Sequence, residues 1–230
     1  MKRTLKRLAA RLPRRWQQEL KRRYFGRQIR NRSFRTDEAE FELLSAMVST
    51  GDWVLDIGAN LGHYTVRLSE LVGAGGRVIS FEPVPETFEL LAANVALIPH
   101  RNVTLINAAA SDSAGVCGMQ IPKLDDSGLD NFYTAHLSAE PSSLNVLRIA
   151  VDSFSPPEPI RFVKIDAEGH ELPALRGMQR LLERDHPILV VEDNSPEVSA
   201  YLVELGYSSE KIAGSSNRIF RAAGARCVSS

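Results

Sequence analysis

Val54-Leu55-Asp56-Ile57-Gly58-Ala59-Asn60-Leu61-Gly62 decides the fold of this 230-residue chain. An apolar run with the character of a buried parallel strand meets an aspartate and opens into a glycine-punctuated turn. Beyond the turn, Tyr64, Leu68 and Leu71 recur on one face of a helical pattern. In an open α/β sheet the first strand-to-helix turn approaches a ligand at the carboxyl ends of the strands. Gly58 and Gly62 are expected to take backbone angles closed to other residues and to leave room for that ligand. Asn60, between them, is expected to touch it. The loop lacks G-x-G-x-x-G, the cradle of a dinucleotide pyrophosphate, and no Lys-Ser or Lys-Thr follows it as in a P-loop. Asp56 would repel phosphate and suits a cationic ligand bearing an amine. S-adenosylmethionine is such a ligand.

A second strand, Arg77-Val78-Ile79-Ser80-Phe81, ends at Glu82 and is stopped by Pro83. A carboxylate at that place can accept both ribose hydroxyls of an adenosine. Taken singly, Asp56 reads equally well as a helix cap and Glu82 as a surface acid. Their placement on successive strands favours a phosphate-free adenosine that carries a sulfonium amino acid.

Three blocks give the chain a specific likeness. They are Val54–Gly62, then Phe81-Glu82-Pro83 with Asn94 ending the next helix, then Phe162-Val163-Lys164-Ile165-Asp166-Ala167-Glu168-Gly169-His170-Glu171 followed by Leu175 and Gly177. With them the chain resembles the FkbM family of methyltransferases, within the Rossmann-like class that uses S-adenosylmethionine. Val151-Asp152-Ser153-Phe154, Pro187 leading a strand to Glu192, and Leu205-Gly206-Tyr207 extend the match over residues 37–220. The K-I-D-x-E-G-x-E run is its specific part, because the glycine-rich turn occurs throughout the wider class. The resemblance implies an α/β fold with a mostly parallel seven-stranded sheet, helices on both faces and a C-terminal antiparallel hairpin. It also implies O-methylation of a polyketide, a glycan or another secondary metabolite.

Composition agrees with one such domain, expected over residues 36–230. The hydrophobic share is 43%, ordinary for a globular chain that can bury a full core. Cys117 and Cys227 are too few and too far apart for a disulfide framework or a zinc site. No apolar run reaches membrane-spanning length, and the N-terminus lacks the apolar core of a secretory signal, which suggests a cytoplasmic protein. The net charge of zero hides a polarity. Residues 1–35 hold 14 lysines and arginines against one acid, Glu19, while residues 36–230 hold 14 against 27 acids. Leu5, Leu8, Leu12, Trp16 and Leu20 recur along the basic segment at helical steps, with Pro13 expected to kink or divide the helix. Such a helix can lie on anionic lipid at the inner face of the membrane, grip nucleic acid, or rest on the acidic body of its own domain or a partner subunit.

The remaining elements alternate as a parallel sheet requires. A helix is expected around Asp37–Ser49, strands at 53–57 and 77–81, a helix at 85–96 and a strand at Asn102–Ala108. Gly115–Pro122 and Asn145–Val151 read as a strand pair around a polar insertion. Arg161–Ile165 and Pro187–Val191 read as strands four and five, Leu172–Arg184 and Pro196–Leu205 as helices. Tyr207–Ala213 and Asn217–Ala222 read as a terminal hairpin.

Methyl transfer to oxygen is an in-line displacement in which the protein positions two reactants and handles one proton. Asp166 and Glu168, at the mouth of the fourth strand, are candidates to orient the donor and to hold or deprotonate a hydroxyl. His170 follows as a ring base whose ordinary pKa (~6.5) suits proton abstraction. Glu171 reads equally as a helix N-terminal charge, and Lys164 as a structural partner for a carboxylate. The turn Asp166-Ala167-Glu168-Gly169 has neither the proline nor the aromatic of enzymes that methylate base amines. Its acids suit a polyhydroxylated acceptor. Asn107–Asp112 ends the third strand where the class holds adenine, so Ser111 or Asp112 is expected to meet the adenine amine. The insertion 122–145 offers Asp125, Asp126, Asp130, Asn131, Phe132, Tyr133 and His136 to an acceptor, or is a solvated loop. His63 and Tyr64 begin the first helix beside the donor or simply pack there. No cluster has metal-ligand spacing, though Asp166, Glu168 and Glu192 supply oxygens of the kind magnesium takes. An RNA methyltransferase using the basic arm, and a non-catalytic S-adenosylmethionine-binding protein, are the rival readings.

Overall fold

Alternate residues of the central strands face opposite sides, and both sides are apolar, so the sheet must be covered twice. In the computed structural model Leu55, Ile57, Val163 and Ile165 enter one core cluster, while Val54, Val78, Phe162 and Val190 enter another. The structure describes residues 13–124, 129–130, 134–138, 142, 144–154, 156–192 and 195–222, without the side chains of 123–124 and 129–130. Leu5, Leu8, Leu12, Cys227, Asp125, Asp126, Asn131, Phe132, Tyr133 and the side chain of Asp130 lie outside it.

The elements are α1 (Arg14–Arg30), α2 (Ala39–Leu43), β1 (Trp53–Ile57), α3 (His63–Val72), β2 (Arg77–Phe81), α4 (Pro85–Val95) and β3 (Val103–Ile106). There follow β4 (Ala109–Ala110), β5 (Gly115–Gln120), β6 (Lys123–Leu124), β7 (Leu129–Asp130), β8 (His136–Ser138) and β9 (Leu144–Ile149). The chain ends with β10 (Ile160–Ile165), α5 (Glu171–Arg176), α6 (Gln179–Asp185), β11 (Ile188–Glu192), α7 (Pro196–Glu204), β12 (Tyr207–Lys211) and β13 (Asn217–Ala222). Seven strands form the main sheet in the order β12-β13-β11-β10-β1-β2-β3. β10, β1, β2, β3 and β11 run parallel, and β13 is antiparallel to both neighbours. The fold is the Rossmann-like, mostly parallel sheet with a terminal antiparallel hairpin. Side chains of α5, α6 and α7 cover one face, and those of α2 and α3 the other. Each fully buried Phe or Leu there contributes about 1.5–3 kcal/mol.

The chain leaves the main sheet after β3. Ala109–Ala110 pairs instead with β9, in a second, four-stranded sheet ordered β4-β9-β5-β8. The strand pair expected around the insertion is present as β5 and β9, antiparallel from Gly115↔Arg148 to Met119↔Leu144. The single helix expected over Leu172–Arg184 is two. Gly177 sits between them because a Cβ there would lie 1.7 Å from the Ser111 carbonyl oxygen. Asp152 then starts α6 from outside, accepting from the backbone N–H groups of Arg180 at 2.8 Å and Leu181 at 3.0 Å.

Pro13 stands immediately before α1, where its fixed φ and missing N–H are tolerated. α1 packs on the domain. Phe25 and Ile29 join Phe34, Leu61, Val66, Leu90 and Ile98 in a third cluster.

Candidate functional site

β1 and β10 are neighbours whose following elements leave in opposite directions, and a crevice opens at their carboxyl ends. A cavity of about 680 Å³ occupies it. One side is lined by Gly58, Ala59, Asn60, Phe81, Glu82, Pro83, Val84 and Ala108–Ala110. The other is lined by Arg35–Ala39, Tyr64, Asp166–Glu168, Glu192 and the hairpin turn Gly214–Asn217.

Glu82 anchors the first side. Its Oε2 accepts from the Asn60 N–H at 2.8 Å and its Oε1 from the Val84 N–H at 2.9 Å. Each oxygen keeps a lone pair for a further donor. Burial pushes the carboxyl up to about 7, against the pull of those two N–H groups. Asn60 is left-handed at φ 48°, and its buried Oδ1 has no partner among the described residues. Ala108, Ala109 and Ala110 leave a small-walled apolar recess beyond Glu82.

The structure moves several expected donor contacts elsewhere. Asp56 does not line the cavity. Strand alternation turns it to the opposite face, where Thr65 donates to its Oδ2 at 2.5 Å and Lys164 is its cross-strand neighbour. Burial raises its pKa to about 6. Gly58 has φ 79° as expected, but the atom that forbids a side chain is the Asp166 carbonyl oxygen, 1.8 Å from where a Cβ would lie. Gly62, at φ 91°, gives way to Leu91. At both glycines the place of a Cβ is filled by protein, and of the two Gly58 lines the cavity while Gly62 does not. Ser111 and Asp112 also do not line the cavity. Ser111 Oγ lies 3.0 Å from His170 Nε2, and Asp112 accepts from Arg148 at 3.3 Å.

The second side is built on the strand-four turn. Glu171 Oε1 accepts from the N–H groups of Ala167 and Gly169, each at 3.0 Å, so it braces the turn. Glu168 is held left-handed at φ 50°, a costly angle for a residue with a side chain. Burial, then Asp166, Glu192 and Glu171, push its carboxyl up to about 7. His170 lines the cavity with its Nε2 engaged by Ser111, and burial lowers its pKa. His63 stacks on Phe34 at 4.1 Å between ring centroids, and burial lowers its pKa to about 4.

Behind Asp166 lies a network that local sequence patterns do not reveal. The buried Lys164 Nζ is 3.4 Å from Asp166 Oδ2, donates to Asn217 Oδ1 at 3.1 Å, and sits 5.1 Å over the Tyr64 ring. Tyr64 donates to Glu38 Oε2 at 2.6 Å, and Asn217 donates to the buried Glu40. Burial and Glu38 raise the Tyr64 pKa far above its usual value. Of the insertion, Thr134, Ala135 and Leu137 line the cavity, with Ala135 and Leu137 packed on Val84 and Met119. They sit over the Glu82 side. His136 is exposed, its Nδ1 3.1 Å from the Thr134 carbonyl oxygen. Among the described residues, no three His, Cys, Asp or Glu side chains are arranged to hold a metal ion.

A family model described as the methyltransferase FkbM domain matches residues 56–209. The hexuronic acid methyltransferase AglP of Haloferax volcanii is 28% identical over 165 residues, 70% of this chain and 64% of that protein. A protein-L-isoaspartate O-methyltransferase of Methanothrix thermoacetophila is 38% identical over 53 residues, 23% of this chain and 25% of that protein. The crystal structure of methyltransferase FkbM from Methylobacillus flagellatus superposes with a TM-score of 0.55 at 14% identity, covering 80% of this chain and 50% of that one. The chain thus spans less than two thirds of AglP and half of that FkbM structure. The matched residues hold Glu82, the strand-four turn and Glu192 together, and the chain belongs to the FkbM methyltransferase family.

Proposed function

We propose that this chain transfers a methyl group from S-adenosylmethionine to a hydroxyl oxygen of a glycan. The observation that carries the reading is one cavity divided between two carboxylates, Glu82 on the β2 side of β1 and Glu168 on the β10 side.

The residues present fit the donor. Glu82 offers two free lone-pair positions to a ribose diol, and the alanine recess offers space to a flat base. The orphaned Asn60 Oδ1 offers an acceptor to an ammonium group. Among the described lining residues the sole lysine or arginine is Arg35, so no phosphate cradle competes. When bound, S-adenosylmethionine supplies an electrophilic methyl on a sulfonium.

The chain's own work is positioning and proton handling. Glu168, with a carboxyl near 7, accepts the acceptor's hydroxyl proton as the oxygen attacks. Asp166, fixed by Lys164, hydrogen-bonds a neighbouring hydroxyl. Tyr64 and Glu38 close the wall behind it. The insertion strand β8 shields the donor side from water.

Asp166, Glu168, Glu192 and Glu38 would repel a carboxylate at the reacting position, which favours a hydroxyl there. Arg35, exposed at the cavity wall and 3.7 Å from Glu42, is the cation available to an acidic sugar's carboxylate. AglP, by its name, acts on hexuronic acid, so a uronic-acid glycan is the acceptor to try first. Protein with methyl-labelled donor is offered uronic-acid and neutral oligosaccharides, and the product is treated with mild alkali. Label that survives as an ether supports hydroxyl methylation. Label released as a methyl ester, or found only in added RNA, overturns it.

A further inference from the structure

The contacts of helix α1 with the described residues of the domain gather on one side. Gln18 Nε2 donates to the Glu86 carbonyl at 3.3 Å, Gly26 is buried against Leu97, and Phe25 and Ile29 enter the core cluster. The opposite side carries Trp16, Leu20 and Tyr24, exposed by 53%, 50% and 61%. They recur every four residues, so the helical period stacks them in one stripe, with the exposed Arg23, Arg27 and Arg30 on the same face. Docking on the domain explains the inner side and leaves this stripe unexplained. Three large apolar side chains in a row are a surface of a kind that marks interaction sites.

We propose that this outer face docks on an anionic lipid bilayer. Leu20 and the rings of Trp16 and Tyr24 match the acyl–headgroup boundary, and the flanking guanidinium groups match lipid phosphates. The charge distribution supports the same orientation. Residues 1–35 carry 14 lysines and arginines against Glu19 alone, whereas the rest of the chain carries 27 acids against 14 bases. An anionic surface attracts this end and repels the body. Glu19 does not spoil the match, because Arg23 holds it at 2.8 Å. No described helix is long and apolar enough to cross a bilayer, so the contact is peripheral. Nucleic acid would use the arginines and could stack on the rings, but it has no use for Leu20 in the middle of the stripe.

The docking element is joined rigidly to the cavity. Phe25 meets His63 edge-on at 6.4 Å and Phe34 stacks on it, and the chain passes from Phe34 into Arg35–Ala39, which line the cavity wall. A membrane contact at α1 therefore holds the cavity at a fixed attitude to the surface.

The full chain is the right material, since removing α1 would strip Phe25 and Ile29 from the cluster around Phe34. It is sedimented with phosphatidylcholine vesicles with and without phosphatidylglycerol. Binding is expected only to the anionic vesicles and is lost at high salt as screening shortens the reach of the charges. A Trp16→Ser, Leu20→Ser, Tyr24→Ser variant keeps every charge, and should lose vesicle binding by roughly tenfold or more at an unchanged melting temperature. An Arg23→Gln, Arg27→Gln, Arg30→Gln variant should lose it comparably. The proposal is overturned if the serine variant binds vesicles as the wild type does. It is also overturned if the wild type ignores vesicles and instead shifts RNA, or forms a dimer that the serine variant dissolves.

Discussion

Replacing Glu168 by glutamine separates catalysis from stability, because the two should move in opposite directions. The carboxyl is pushed from 4.5 to about 7, first by burial and then by Asp166, Glu192 and Glu171. A folded-state pKa above the unfolded one means that the fold favours the protonated form. That contribution is complete below about pH 4.5 and is gone once the pH has risen through about 7. The full shift would correspond to about 3 kcal/mol. Glu168 is only half-buried, and solvent screening reduces the figure to about 1 kcal/mol. At pH 8 Glu168→Gln should therefore stabilise the protein by about 1 kcal/mol, a rise of roughly 2–4 °C in Tm for a chain of this size. At pH 5 the two proteins should melt together. Turnover, in contrast, should fall by about 10²-fold or more. The wild-type kcat/KM should rise with pH through about 7, and the variant should lack that limb. Melting curves at both pH values beside a methyl-transfer pH profile make the test. A fully active variant, or one whose pH limb is unchanged, would refute Glu168 as the base, and a variant that loses activity and melting temperature together would make it structural.

Gly58→Ala drives a Cβ toward the Asp166 carbonyl oxygen and should cost about 3 kcal/mol or more by denaturant titration. Gly169→Ala meets nothing within 4 Å and should cost only about 1 kcal/mol of left-handed strain. Lys164→Met removes the buried ammonium that serves the partly exposed Asp166 and the buried Asn217, and should cost about 1–3 kcal/mol by denaturant titration. Arg35→Gln should raise KM for a uronic-acid acceptor and leave it unchanged for a neutral one, with donor affinity constant; equal effects on both acceptors would remove Arg35 from acceptor recognition.

What the sequence made legible was whatever is carried by local periodicity and turn chemistry. Val54–Ile57 and Phe162–Ile165 announce buried parallel strands, and Glu82 sits where the next strand end must be. Parity along a strand was the harder matter. Asp56 belongs to the same strand end as Ile57, yet one residue decides which face a side chain takes, and only the folded register shows that Asp56 meets Thr65 instead of the cavity. Ser111 and Asp112 lie outside the cavity lining for a related reason. The chain changes sheets after Ala108, so the residues beyond it follow β9 and not β3. The wall formed by Glu38, Tyr64 and Asn217 was illegible because its members lie far apart in the chain and are joined by long-range contacts, Tyr64 to Glu38 directly and Asn217 and the Tyr64 ring through Lys164. A lysine inside the apolar strand Ile160–Ile165 was the available signal. A buried ammonium must find partners, and they come from both ends of the domain.

Donor and acceptor should occupy opposite sides of one cavity, and titration calorimetry of three proteins with S-adenosylhomocysteine tests that division. The wild type should bind it and give no heat with NAD or ATP. Glu82→Ala should weaken binding by about 1.5–3 kcal/mol, as for lost hydrogen bonds to a charged group, while Glu168→Gln should bind as the wild type does. A Glu82→Ala protein with undiminished affinity, or a wild type that prefers NAD or ATP, would contradict the assignment of the two sides.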